Sequence, residues 1–340
     1  MAASDPTALA ARLATFLTAN AGAPAEVTGL SRLAGGASLA TWSIEATLGG
    51  VPHALVLRMD LASTMNPAAL SRAHEFALLH AAVAGGVLAP QPRWCDPDGA
   101  ALGRSGFLMD YVAGESIGPR VLRRPDLAAA RARLAGQMAT QLARIHTLDT
   151  ATLAFLPRPP AGHSPARHAL DGVRMLLAAI GYTSPALEFG LRWLEQHAPA
   201  CPRPSLVHGD FRVGNLLVGP DGLRAVIDWE FAHIGDPLED LAWPCVRDWR
   251  FGNDALPVGG VGELAPFLAA YEAASGRTVD RRALRYWEIL GNLRWAATCH
   301  SQAHRHLSGA DPSVEYVSLG RRAAEIELEF LTLIEAKQDF

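Results

Sequence analysis

The sequence predicts an α+β protein in two lobes, a small antiparallel β-sheet lobe followed by a mostly helical one. Three observations carry this. Up to about residue 112, short β-prone runs alternate with glycine turns around two helical stretches. Beyond Gly114 the apolar residues recur at helical spacing over most of the remaining sequence. Within that helical region one stretch breaks the period. Leu206 to Asp228, LVHGDFRVGNLLVGPDGLRAVID, holds two apolar runs around a Gly-Pro-Asp-Gly turn at 219–222 and reads as a hairpin. The lobes are expected at 1–112 and 113–340, with a hinge near 109–114.

Composition agrees. A chain of 340 residues is long for one core. With 49% apolar and 19% charged residues it falls among ordinary soluble globular proteins. A net charge of −4 gives no reason to expect a nucleic-acid or anionic-membrane partner. Lys337 is the sole lysine, so every other basic side chain apart from histidine is arginine. Cys95, Cys201, Cys245 and Cys299 form no C-x-x-C pair and suit free thiols in a reducing compartment. MAASDPTALAARLATFL lacks the basic region and long apolar core of a signal peptide, and no run reaches transmembrane length. A cytoplasmic location is expected.

Taken in order, residues 5–20 set Leu9, Leu13, Phe16 and Leu17 at helical spacing, with Ser4 or Asp5 as cap. Strands follow at 26–33, through Trp42, Ile44 and Ala46 to the Gly49-Gly50 turn, and from His53 to Arg58. Gly35-Gly36-Ala37-Ser38 lies between the first two; its glycines let backbone N–H groups approach an anion without Cβ interference, although an ordinary hairpin needs the same residues. Pro67 to Ala84 is a helix ended by Gly85-Gly86. Residues 91–95 and 104–112 complete the sheet. Leu127 to His146 is a helix with Leu134, Met138, Leu142 and Ile145 on one face. After a proline-rich connection, helices near 166–180, 184–197, 260–275, 280–302 and 312–337 make up the second lobe. Asp236-Pro237-Leu238-Glu239 carries helix-start signals, with Asp at the cap, Pro first and Glu third.

The hairpin carries chemistry. His208-Gly209-Asp210 is followed at H-x-D-x-x-x-x-N spacing by Asn215, and the returning strand ends on Asp228. Phosphoryl transfer needs a carboxylate to orient and deprotonate the attacking hydroxyl, and hard oxygen ligands for Mg²⁺ bridging the nucleotide phosphates. Asp210 suits the first task, Asn215 and Asp228 the second. The spacing matches the protein-kinase catalytic loop, and Ile227-Asp228-Trp229 stands where kinases carry Asp-Phe-Gly. Each piece alone is common in plain turns and strand ends; the ordered set is specific. A small sheet lobe with a helical lobe is the protein-kinase-like architecture.

HGDFRVGNLL followed by VIDWEFAHIGDPLEDLA resembles the aminoglycoside phosphotransferase family, in particular its small-molecule branch with domains fused to some acyl-CoA dehydrogenases. The resemblance covers nearly the whole chain and is strongest over 206–243. It implies a phosphotransferase (a kinase) using ATP, with GTP as the alternative, and Mg²⁺, acting on a hydroxyl of a small molecule. It also implies that the loop with Gly35, Gly36 and Ser38 covers the nucleotide phosphates. A kinase further needs a cation on the third strand, held by a helix acid. Arg58 is the candidate where many relatives have lysine, and its fork can grip phosphate oxygens. Glu75, the acid inside the next helix, is its expected partner. The hinge around Met109, Asp110 and Val112 would meet the base, by backbone hydrogen bonds and by the Met109 side chain. His208 is expected to fix the loop through backbone near Asp228, and Asp240 to buttress it as in the family. Gly209 stands where many regulated protein kinases carry arginine, so no switching by loop phosphorylation is expected.

The acceptor is less defined. The segments 166–197 and 280–306 carry Arg167, Arg174, Arg192, Arg281, Arg282, Arg285, Arg294 and Arg305 against Asp171, Glu188, Glu195, Asp280 and Glu288. That balance leans away from a polycation and toward a neutral or anionic alcohol such as a hydroxy acid or hydroxyacyl thioester. An aminoglycoside or other antibiotic kinase is the alternative. From other classes stand a nucleotide-binding pseudokinase, left open by Arg58, and a metal-dependent hydrolase built on Asp and His residues. His300 and His304 share a helical face, but spacing fixes no third ligand, and they read as the polar end of a helix. Trp287 and Trp295, two helical turns apart, read as core, with walls of a substrate cleft as the alternative.

Overall fold

The computed structural model describes residues 6–33, 39–61 and 69–336. The chain divides into two compact units: Met1–Gly114 with Ala151–Leu156 and Arg224–Ala232, and Glu115–Thr150 with Pro157–Leu223 and His233–Phe340. A linear reading with one cut near residue 112 does not see the two later stretches. Each has an apolar reason to return to the first unit. Leu153 and Leu156 are buried, His74 stacks on Phe155 at 4.4 Å, and Trp229 is 1% exposed.

In the first unit, α1 (Pro6–Ala21) precedes β1 (Ala25–Arg32), β2 (Leu39–Leu48) and β3 (Val51–Asp60). Then come α2 (Arg72–Ala84), β4 (Pro92–Asp96) and β5 (Gly106–Asp110). The strands form one antiparallel sheet in the order β1-β2-β3-β5-β4. Leu48 pairs with Val51, so Gly49 and Gly50 are the whole loop, at φ +55° and +85°. Two positive φ values make the primed turn that matches strand twist, which is why glycine occupies both positions. Trp42, Ile44 and Ala46 alternate inward on β2 and meet Leu9, Leu13, Phe16 and Leu17 of α1 in one core. Helix α2 starts at Arg72, five residues later than periodicity suggests, behind the cap Ser71, whose side chain accepts from the His74 N–H.

The second unit holds α3 (Gly118–Arg123), α4 (Ala128–His146), α5 (Pro165–Ala179) and α6 (Pro185–Gln196), then β6 (Ser205–Val207) and β7 (Leu216–Gly219). The hairpin returns on β8 (Gly222–Val226), followed by β9 (His233–Gly235), α7 (Pro237–Ala242), α8 (Leu264–Ser275), α9 (Arg281–Leu307) and α10 (Val314–Glu335). The expected face of α4 is the buried one: Leu134, Met138, Leu142 and Ile145 are all 0% exposed. Strands β6 and β9 pair antiparallel, Ser205 with Gly235 and Val207 with His233. That pairing was not legible in the sequence and positions the site. Strand β6 runs into His208, and β9 runs into α7, so the acid on α7 meets the loop after β6.

Candidate active site

The loop after β6 is built around two acids. Asp240 of α7, fully buried, accepts the N–H of His208 at 2.6 Å and of Gly209 at 3.0 Å. Its other contacts are histidines: His146 Nε2 lies 3.2 Å from it, and His146 is held by Tyr271 at 2.8 Å. Burial disfavours the ionised carboxyl, but the hydrogen bond and charge of His146, with His208, outweigh this and hold its pKa below the usual carboxylate range. Asp240 therefore acts on the loop backbone. Gly209 has φ +80°, a conformation costly for side-chain-bearing residues, and its carbonyl accepts from Arg294 at 3.2 Å. The absence of arginine at 209 thus follows from loop geometry.

Asp210 follows with its carboxylate held from several sides. Trp243 Nε1 donates to Oδ1 at 2.6 Å, and Arg212 Nε donates to the same oxygen at 3.1 Å. Asn215 donates its amide N–H to Oδ2 at 2.6 Å and to the Asp210 carbonyl at 2.8 Å. The Asp210 N–H in turn donates to His208 Nδ1 at 3.3 Å. With its nitrogen spent on Asp210, Asn215 keeps its carbonyl oxygen for another partner. Arg294 lies 4.0 Å over the Trp243 ring, and Arg212 lies 4.6 Å over Trp249. Sequence reasoning missed Trp243, Arg212 and His146 as site residues. Arg212 is adjacent on the loop, but nothing in the spacing announces a tryptophan or histidine from another element.

In the first unit, Arg58 on β3 meets Glu75 on α2, with Nε 3.1 Å from Oε1, and donates through Nη2 to Asp228 Oδ1 at 2.7 Å. Arg58 and Glu75 are buried, and the Asp228 side chain is 27% exposed. Burial opposes the charge on Arg58, but Glu75, Asp228 and Glu230 outweigh it and raise the pKa further, so the guanidinium is permanently charged. Asp228 sits at φ 69°, ψ 59°, left-handed backbone that few non-glycine residues adopt. Arg58, Glu75, Met109 and Asp228 line one small cavity with Leu79, Pro90, Ile227 and Trp229.

The remaining expected site residues are placed as follows. Asp110 pairs in a fork with Arg93, both contacts 2.6 Å, and its N–H donates to the Gln91 carbonyl. Tyr111 donates its N–H to Ala54, and Val112 comes after both strands have ended. Gly35, Gly36 and Ser38 lie outside the described residues. Of the eight arginines in 166–197 and 280–306, Arg167, Arg174, Arg285, Arg294 and Arg305 sit in ion pairs with acids. Much of the apparent basic surplus is therefore locally neutralised, partly by Glu239 and Asp311, which the sequence count left out. His300 pairs with Glu327 at 3.2 Å and stacks on Tyr182, and among the described residues no cluster of three His, Cys, Asp or Glu side chains suits a metal ion. Among them, too, no helix is long and apolar enough to cross a membrane.

Comparison with known proteins adds the following. The model of the "Phosphotransferase enzyme family" (APH) matches residues 29–287. Mouse acyl-CoA dehydrogenase family member 10 is 31% identical over 198 residues, covering 56% of this chain and 18% of that protein. The chain thus corresponds to less than a fifth of that relative's length. A candidate aminoglycoside phosphotransferase from Ralstonia eutropha superposes with a TM-score of 0.77 at 21% identity, over 96% of this chain and 99% of that one. The GDP complex of aminoglycoside 2′-phosphotransferase-IIIa gives 0.63 at 16% identity, over 95% and 98%. At those identities the likeness is one of fold, a kinase-like α+β fold with a small antiparallel sheet and a mostly helical part.

Proposed function

The chain belongs to the phosphotransferase enzyme family, and we propose that it transfers the γ-phosphate of ATP to a hydroxyl of a small molecule with Mg²⁺ present. The observation that carries this reading is the Asp210 carboxylate, held by Trp243, Arg212 and Asn215 on a loop that Asp240 anchors. A carboxylate fixed in this way can orient an acceptor hydroxyl and take its proton as the oxygen attacks phosphorus. Arg58 would hold the phosphates, its charge secured by Glu75. The Asn215 carbonyl and the Asp228 carboxylate are each a hard oxygen donor of the kind Mg²⁺ prefers, and the ion would neutralise charge on the phosphate oxygens.

The nucleotide is supported by the GDP complex of a protein with this fold, which also makes GTP the natural comparison. For the acceptor we infer a hydroxy acid or hydroxyacyl thioester, supported by the likeness to an acyl-CoA dehydrogenase family member. The arginine surplus gives this little help, because most of those arginines face acids. The test is ADP release with ATP and Mg²⁺ over hydroxy acids, hydroxyacyl thioesters and aminoglycosides, with Asp210→Asn as blank. Turnover above that blank with one of the first two classes is expected. Turnover with aminoglycosides alone would overturn the acceptor, and none with any class would overturn the transfer reaction.

A further inference from the structure

Glu75 is shared between two arginines. Its Oε1 faces Arg58 Nε at 3.1 Å, while Oε2 takes the Nη1 of Arg72, the first residue of α2. Arg72 is 2% exposed; its Nη2 donates to the Leu70 carbonyl at 2.6 Å, and its Nε lies 3.2 Å from Asp60 Oδ1. The charges alternate along a line, Asp60, Arg72, Glu75, Arg58, Asp228, with the middle three buried and the end acids 26% and 27% exposed. Nothing in the family resemblance assigns Arg72 a part in this.

The pairing within the line is unusual for arginine. A guanidinium facing a carboxylate tends to close a two-pronged fork, as Arg93 does on Asp110 in the same unit. Arg58 does not do this with Glu75. Its Nε comes within ion-pair distance of one oxygen but is not aligned as a hydrogen bond, and its Nη2 goes to Asp228. The second oxygen of Glu75, Oε2, is turned to Arg72 instead. A lysine in place of Arg58 would need no such device, since an ammonium is a point charge that a carboxylate cannot capture by a fork.

We propose that Arg72 is a positioning residue for the nucleotide site. By holding Oε2 of Glu75 on its own guanidinium it fixes the carboxylate in an orientation that closes no fork on Arg58, and so keeps the outer edge of the Arg58 guanidinium for Asp228 and the phosphates. This rests on the reading of Arg58 as the phosphate-binding cation. It also accounts for an arginine serving where lysine is usual.

The test is a double-mutant cycle on the full chain, with the affinity for ATP and Mg²⁺ read by calorimetry and thermal midpoints recorded alongside. Arg72→Met should weaken binding by roughly tenfold or more when Arg58 is present, and by no more than about twofold on top of Arg58→Lys, because only an arginine can be captured. Equal losses in the two backgrounds would mean that Arg72 merely supports the fold, and would overturn the proposal. No loss in either would do the same. Should Arg72→Met not fold, Arg72→Gln goes through the same cycle; failure of both to fold makes Arg72 a requirement of the fold and equally overturns the proposal. A native chain that binds no nucleotide refutes the reading of the site as well, whereas native binding without coupling refutes the positioning role alone.

Discussion

The Asp210 carboxylate accepts from an indole, a guanidinium and an amide, so single substitutions around it have distinct expected outcomes. Asp210→Asn removes the proposed base, so kcat should fall by ~10²–10⁴ in steady-state kinetics. Trp243→Phe keeps a ring for Arg294 but removes the donor to Oδ1. A hydrogen bond to a charged group contributes about 1.5–3 kcal/mol, so steady-state kinetics should show kcat lower by roughly tenfold or more. Asp240 gives a pH prediction. Its pKa is depressed in the folded chain, where burial is outweighed by His146 and His208. Such a group contributes stability that is full above its unfolded value of about 3.9 and is lost as pH falls through the folded value. Asp240→Asn should therefore be less stable at neutral pH and show a flatter acid limb below about pH 4 than the native chain. Parallel acid limbs in urea titrations would contradict this.

Among the elements, helix α2 brings Arg72 and Glu75 to the site in its first turn, so its N-terminus matters beyond stability. Ser71→Ala removes the cap to the His74 N–H and should cost about 1 kcal/mol in urea unfolding. Nucleotide binding should weaken as well, since Glu75 lies four residues from that cap. The contrast between α2 and the β6–β9 pair explains what was legible in the sequence. Asp210, Asn215 and Asp228 fall within one short stretch at a characteristic spacing, so the candidate set can be read directly from the sequence. Helices such as α4 announce their buried faces through Leu134, Met138, Leu142 and Ile145. Trp243 and His146 reach their targets only because separate elements pack or pair, as when Val207 pairs with His233 and sets α7 under the loop. No local pattern encodes those meetings. Charge counts along the sequence are blind for a related reason, since they ignore which acids sit opposite, as Glu239 and Asp311 do for Arg294 and Arg305.

At the scale of the whole molecule, chemistry is confined to few side chains, and the thiols are not among them. All four cysteines are free. Burial pushes Cys95 up to about 11 and Cys201 and Cys299 up to about 12, and raises Cys245 further. Iodoacetamide at pH 8 should label the native chain slowly and all four thiols after unfolding, and reductant should leave the thermal midpoint unchanged; rapid native labelling would contradict the packing. The central claim concerns the nucleotide, and calorimetric titration of the native chain with ATP, with and without Mg²⁺, tests it most directly. The account predicts saturable binding that needs Mg²⁺ and is weakened by Asp228→Asn only when Mg²⁺ is present. Absence of binding by ATP and GTP alike, or binding indifferent to Mg²⁺, would contradict it.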